Sequence, residues 1–149
     1  MRRLIFLLGL LVWAPATMAD SSVNLTELRG KVVVLDFWAS WCVPCRRSFP
    51  WMNAMHHKYA DRGLVIIAVN LDRNSADAER FLEQYPAAFR IVYDPDANLA
   101  KEFGIEVMPS SFIIGKDGQS TARHAGFKVK RQEEYEATIL AALEMESSK

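Results

Sequence analysis

Cysteine is nearly absent from this chain: Cys42 and Cys45 are the only two among 149 residues. A disulfide framework is therefore excluded, and neither thiol can pair elsewhere within the chain. Charge shows no surplus either, with 18 Lys and Arg against 18 Asp and Glu. No basic stripe or block of like charge is present, which argues against nucleic acid or an anionic membrane surface as partner. Internal repeats, low-complexity tracts and interdomain linkers are also missing, so a single domain is expected. Long hydrophobic runs are scarce. The N-terminal one, residues 4–13, is apolar apart from Gly9 and too short to cross ~30 Å of hydrocarbon comfortably.

That segment has a different reading. Met1-Arg2-Arg3 is a short positive start, and Thr17-Met18-Ala19 offers small residues at the right offsets for cleavage before Asp20. Together these form the pattern of a secretory signal peptide, with an uncleaved N-terminal anchor as the alternative. No Cys follows the apolar segment, which argues against a lipoprotein, and the paired arginines read as ordinary leader charge. Export to a bacterial periplasm is expected. Removing residues 1–19 leaves 130 residues (20–149) as one domain, with 16 Lys and Arg against 18 Asp and Glu, a net charge near −2.

Periodicity gives the layout. Residues 23–31 are an irregular lead-in, and 32–38 form a continuous apolar run, as in a strand covered on both faces. A helix over 45–60 follows, with Phe49, Met52, Met55 and Tyr59 on one side. Pro50 lies inside it and should kink it. Residues 64–69 read as a second buried strand. Asn74 or Ser75 caps a helix over 76–84, which Tyr85-Pro86 stops. A short strand at 90–93 precedes a helix opened by Asp94-Pro95 and running to about 103. Strands at 111–114 and 121–125 make a hairpin around Lys116-Asp117-Gly118-Gln119, and 131–145 form an amphipathic C-terminal helix. The class is α/β with a mixed sheet flanked by helices.

Chemistry centres on Cys42-Val43-Pro44-Cys45, preceded by Trp41 and placed where a strand gives way to a helix. Two thiols separated by two residues can close into a small ring and reopen, the geometry of a reversible two-electron switch. A structural bridge is the competing reading, but so small a loop stabilises little. Half a zinc site is another, yet no second ligand pair is at hand: His56 and His57 are adjacent on a helix and diverge. At a helix start, Cys42 should have a thiol pKa below the ~8.5 of free cysteine. Cys42 is expected to be open on one side, shielded on the other by Trp41, with Cys45 more buried. Cys42 would then attack a substrate disulfide and Cys45 would resolve the mixed disulfide.

Asp36 stands among apolar neighbours in the first strand, where an unpaired buried carboxylate is costly. It is either solvated at a strand edge or a carboxyl of raised pKa that takes the proton of Cys45. Pro109 reads on its own as a strand-start residue, Trp38 as core, and His56 and His57 as a solvated helix face. Arg46 and Arg47 are either a source of positive potential near Cys42 or exposed helix charge.

The run from Asp36 to Cys45, then Pro50, and later Met108-Pro109-Ser110-Ser111-Phe112-Ile113-Ile114, resembles the thioredoxin superfamily. Within it, the leader, the lead-in at 24–31 and the extra helix and strand between 72 and 93 resemble the exported TlpA/ResA-like branch, over essentially the whole mature chain. The resemblance implies a thioredoxin-like sheet with a helix–strand insertion. It also implies that Pro109 is cis and faces the cysteine pair, and that the backbone of Met108 bonds an extended substrate segment. Trp41, Pro44, Met108 and Pro109 form an apolar landing surface by the same comparison, with Gly126 leaving room in the groove. Thioredoxins carry an acid matching Asp36, whereas the exported branch often does not; the lysine that pairs with it there is replaced by Ala68.

The implied activity is thiol–disulfide exchange with protein substrates, more in the reducing direction, with cytochrome c maturation a frequent role. The implied protein is monomeric, has no cofactor or metal beyond its own dithiol, and works with a membrane protein as electron donor or acceptor. Two other classes stay open: a copper chaperone using both cysteines and His124, although such proteins space their cysteines by three, and a thiol peroxidase. Val43-Pro44 carries no charge or histidine to indicate direction.

Overall fold

The computed structural model describes residues 23–145, so the expected leader and its cleavage site lie outside the described residues. The strands are β1 (Val32–Trp38), β2 (Leu64–Asn70), β3 (Arg90–Tyr93), β4 (Ser110–Ile114) and β5 (Ser120–Ala125). The helices are α1 (Cys45–Tyr59), α2 (Ser75–Gln84), α3 (Asn98–Glu102) and α4 (Gln132–Glu144). The sheet runs β3-β2-β1-β4-β5. β1 pairs in parallel with β2, and β2 with β3, while β4 and β5 are antiparallel additions. This is the expected mixed sheet, with α2 and β3 inserted before the closing hairpin.

β1 is central, and all seven of its residues are buried. Alternation splits them between two cores. Val32, Val34 and Trp38 join Phe49, Met52, Met55 and Tyr59 of α1, Phe81 of α2 and Ile139 and Leu143 of α4. Val33, Leu35 and Phe37 join Ile67, Val69, Val92, Ala100 of α3 and Phe112. Trp38 is core, as expected: it is fully buried and its ring meets Phe49 and Phe81 at 4.8 and 4.7 Å. Burying an aromatic of that size stabilises by roughly 2–3 kcal/mol before any cavity effect.

Local chemistry sets the element ends. Asn74 caps α2, its side chain accepting from the Ala76 N–H. Lys116, in the hairpin turn, donates to the carbonyls of Leu143 and Met145, supplying partners to the unpaired end of α4. Gly63 takes φ +93 after α1, a left-handed conformation that favours glycine.

Three details differ from the sequence expectation. The lead-in contains a 3-10 turn, Leu25–Leu28, with the Asn24 side chain accepting from the Thr26 N–H. Pro50 lies inside α1, as expected; both Pro50 and Arg46, whose carbonyl loses its partner there, are exposed, so water can replace the missing bond. α3 starts at Asn98, three residues later than Asp94-Pro95 suggested. The Asp94 carboxylate reaches forward instead, accepting from the Asn98 and Ala100 N–H groups across a bend where Ala97 takes φ 54. His56 is half-buried with Nδ1 enclosed and unpartnered, not solvated as read from the sequence.

Candidate active site

β1 delivers the chain into a tight loop, Ala39 to Pro44, that α1 takes over at Cys45. An aspartate 32 residues away holds this loop. Asp72, 6% exposed, accepts from the Ser40 N–H and Ser40 Oγ, both at 2.9 Å. It also accepts from Asn70 Nδ2 at 2.7 Å, while its own N–H donates to Asn70 Oδ1. A carboxylate with three donors is well satisfied, and charge-assisted bonds of this kind are the stronger ones. The Leu71 N–H donates to the Trp38 carbonyl and the Cys42 N–H to the Ala39 carbonyl, completing the brace.

Cys42 and Cys45 are joined as a disulfide, with Cα atoms 5.3 Å apart. Cys45 is fully buried and Cys42 is 4% exposed, flanked by Trp41 and Val43 at 66% and 55%. Cys42 is thus more enclosed than expected, because its neighbours rather than the residue itself form the outer surface. Its Sγ accepts from the Cys45 N–H at 3.3 Å. The first turn of α1 holds no acidic residue and carries the exposed Arg46 and Arg47. The backbone donor and the helix N-terminus both favour negative charge on that sulfur.

A groove of about 570 Å³ opens over the disulfide, lined by Trp41, Cys42, Val43 and Pro44 on one side and by Leu71 and Ile105 to Met108 on the other. Glu106 is its one charged lining residue. The Met108–Pro109 peptide is cis. Met108 lines the groove, whereas Pro109 is buried behind it and Gly126 lies outside it. The Gly126 N–H donates to the Pro109 carbonyl at 2.7 Å, with φ +75 and open space where a Cβ would stand. Of the anticipated cluster, Trp41, Cys42, Pro44 and Met108 share the groove, while Pro109 and Gly126 are hydrogen-bonded to each other and are not among its lining residues.

Asp36 sits in the middle of β1 at 1% exposure, so the reading of a solvated strand edge is excluded. Its side chain shares the α1 face of β1 with Val34 and Trp38, members of the core that contains both cysteines. Ala68 is its partner on β2 and Ser111 on β4. Ser111 Oγ donates to Oδ1 at 2.6 Å, and Oδ2 is buried without a partner. Burial raises this carboxyl from 3.8 to about 7, with the Ser111 bond opposing weakly, so it is poised to exchange a proton near neutrality. With Ala68 alongside, no cation faces it from β2.

His124, the third ligand of the copper reading, lies on edge strand β5 and bonds Thr138 Oγ1 at 2.9 Å. Among the described residues, no group of three or more His, Cys, Asp or Glu is placed to hold a metal ion. Sequence reasoning missed the Ser40–Asn70–Asp72 brace and Glu106. The brace had one signal, a polar triplet end (Asn70, Asp72) directly after an apolar strand.

Comparison with known proteins agrees with this geometry. The redoxin family model matches residues 14–139. The thiol-disulfide oxidoreductase ResA of Bacillus cereus is 36% identical over 114 residues, which cover 76% of this chain and 66% of that protein. The chain thus spans slightly under two thirds of the length of that relative. A crystal structure assigned as the thiol:disulfide interchange protein DsbE of Chlorobium tepidum superposes with a TM-score of 0.79 at 48% identity, covering 81% of this chain and 86% of that one. StoA of Bacillus subtilis gives 0.64 at 26% identity, over 74% and 83% of the two chains. By sequence, sheet order and cysteine geometry, this chain belongs to the redoxin family, in the TlpA/ResA-like branch of the thioredoxin superfamily.

Proposed function

We propose that this chain is a thiol–disulfide oxidoreductase that exchanges the Cys42–Cys45 couple with protein thiols and disulfides. The observation that carries the reading is the disulfide itself, lying at an apolar groove beside a helix N-terminus, with the buried acid Asp36 on the α1-covered face of the sheet. In the reducing direction, the Cys42 thiolate attacks one sulfur of a substrate disulfide and a substrate thiolate leaves. Cys45 then gives its proton to Asp36 and attacks Cys42 Sγ. The second substrate sulfur leaves as thiolate, and the Cys42–Cys45 bond holds the electron deficit. The oxidising direction is the reverse.

An extended substrate segment lies along Met108 by strand addition, where main-chain bonds give affinity with little sequence preference. Trp41 and Pro44 supply apolar contact, and Pro109 and Gly126 hold the groove wall. The protein acts in the periplasm as residues 20–149 after loss of the leader. It works as a monomer without a further cofactor, keeps substrates such as apocytochrome c reduced, and draws electrons from a membrane protein. An oxidising compartment favours disulfides, so a reductant there needs a dedicated donor.

Insulin disulfide reduction tests the assignment. Cys42→Ser abolishes turnover and Cys45→Ser accumulates mixed disulfides; turnover by the Cys42→Ser protein overturns it. An equilibrium potential near the glutathione couple, roughly −240 mV, supports the reductant, whereas one near roughly −120 mV supports an oxidant.

A further inference from the structure

Asp36 is enclosed, yet the reaction requires it to take up and lose a proton in every cycle. The pairing of the sheet offers a way out. Asp36 on β1 lies opposite Ser111 on β4, and Ser111 lies opposite His124 on β5. Cross-strand partners share a face, so the three side chains form one polar row from the sheet centre to its edge strand. Ser111 Oγ already bonds Asp36 Oδ1 at 2.6 Å. Ser111 and His124 together line a cavity of about 10 Å³, walled by Trp51, Phe127 and Tyr135. That volume is close to what one water requires.

The tautomer of His124 follows from its partners. The Thr138 hydroxyl donates to the Tyr135 carbonyl at 2.8 Å, so its oxygen accepts from His124 Nε2–H. Nδ1 is left with a lone pair. His124 is half-buried and so reaches solvent.

We propose that Ser111 and His124 are the proton port of Asp36. The proton taken from Cys45 passes from the Asp36 carboxyl to Ser111 Oγ. The Ser111 proton moves through a water in the cavity to His124 Nδ1, and the imidazolium releases a proton to solvent. One proton goes from Cys45 to bulk, Asp36 and Ser111 return to their starting states, and exchange with solvent restores the Nε2–H tautomer of His124. The inference rests on Asp36 acting as the base. Partial burial lowers the His124 pKa, so the ring is neutral and able to accept at neutral pH; Glu134 opposes and Arg131 assists that shift, and Tyr135 packs on the ring at 4.8 Å. The cross-strand partners of Asp36 are Ala68 on β2 and Ser111 on β4, neither of them charged.

Reaction of the reduced protein with Ellman's reagent separates the steps, because Cys42 releases the first thionitrobenzoate and the attack of Cys45 releases the second. In weak buffer near pH 6, where Asp36 starts protonated and must shed that proton before it can act as base, His124→Gln should slow the second release about tenfold, a fraction of what a full general base supplies, and leave the first unchanged. Added imidazole should restore the rate in this variant and leave the wild type unaffected. Ser111→Ala should behave like His124→Gln, and Ser111→Thr like the wild type. Asp36→Asn should slow the second release without imidazole rescue. If Asp36→Asn is slow and His124→Gln is not, or if imidazole fails to rescue, the port is wrong and the base assignment stands. If Asp36→Asn is as fast as the wild type, the base assignment itself fails.

Discussion

On the face covered by α1, α2 and α4, strand β1 presents Val32, Val34, Asp36 and Trp38; on the face covered by α3 it presents Val33, Leu35 and Phe37. The same seven residues thus build two unlike interiors. The α3 side of β1 is wholly apolar and ring-packed: Phe37 meets Phe103 at 5.6 Å and Phe112 at 6.2 Å. The α1 side places a carboxyl with one unsatisfied oxygen in the same core as the disulfide. A single-residue shift of register would exchange the two sets. Both faces bury apolar side chains and so contribute stability, whereas chemistry resides in one, and substitutions should separate the two.

The largest effect belongs to the α1 face. Cys42→Ser should remove all measurable disulfide reduction, while thermal unfolding, compared with the reduced wild type, stays nearly unchanged. Phe37→Ala, on the opposite face, should show the inverse pattern. It should lose about 3–5 kcal/mol of stability in urea titrations and retain the Cys42 alkylation rate wherever it remains folded. A Phe37 variant that folds and has lost reactivity would break the division between the faces.

Asp36→Asn probes stability and chemistry together. Burial raises the carboxyl from 3.8 to about 7, so the native chain keeps a proton that the unfolded chain releases between those values. The contribution of this group to stability is therefore greatest in acid, falls as pH rises through that window and levels above it. The drop from this group is on the order of 4 kcal/mol. Asn holds no such proton, so urea titrations across the window should lose this component of the slope. An unchanged slope would place the proton elsewhere.

The smallest effect is in the loop brace. Asp72→Asn weakens the bonds to Ser40 and Asn70 and should lower stability by about 1–3 kcal/mol. Hydrogen exchange at Ser40 should rise, with no change at α3.

Much of this contrast is legible in the sequence, and its limits have physical causes. The apolar runs of β1 and β2 and the three- and four-residue spacing in α1 identify their elements, because each buries a continuous face. The cysteine pair is legible because its spacing is local. The burial of Asp36 is not, since an acid in an apolar run fits a solvated edge until β2 and β4 are placed on either side of it. The Asp72 brace joins residues 32 positions apart, and Glu106 enters the groove only when the segment before β4 meets the cysteine loop. The start of α3 is misplaced because Asp94 caps it from four residues upstream.

The central claim is that Cys42, once reduced, is the reactive sulfur, ionised by the helix start and its neighbouring donor. Iodoacetamide alkylation of the reduced Cys45→Ser protein as a function of pH measures this directly. The account predicts a single titration midpoint clearly below the ~8.5 of free cysteine. A midpoint at or above that value would contradict it.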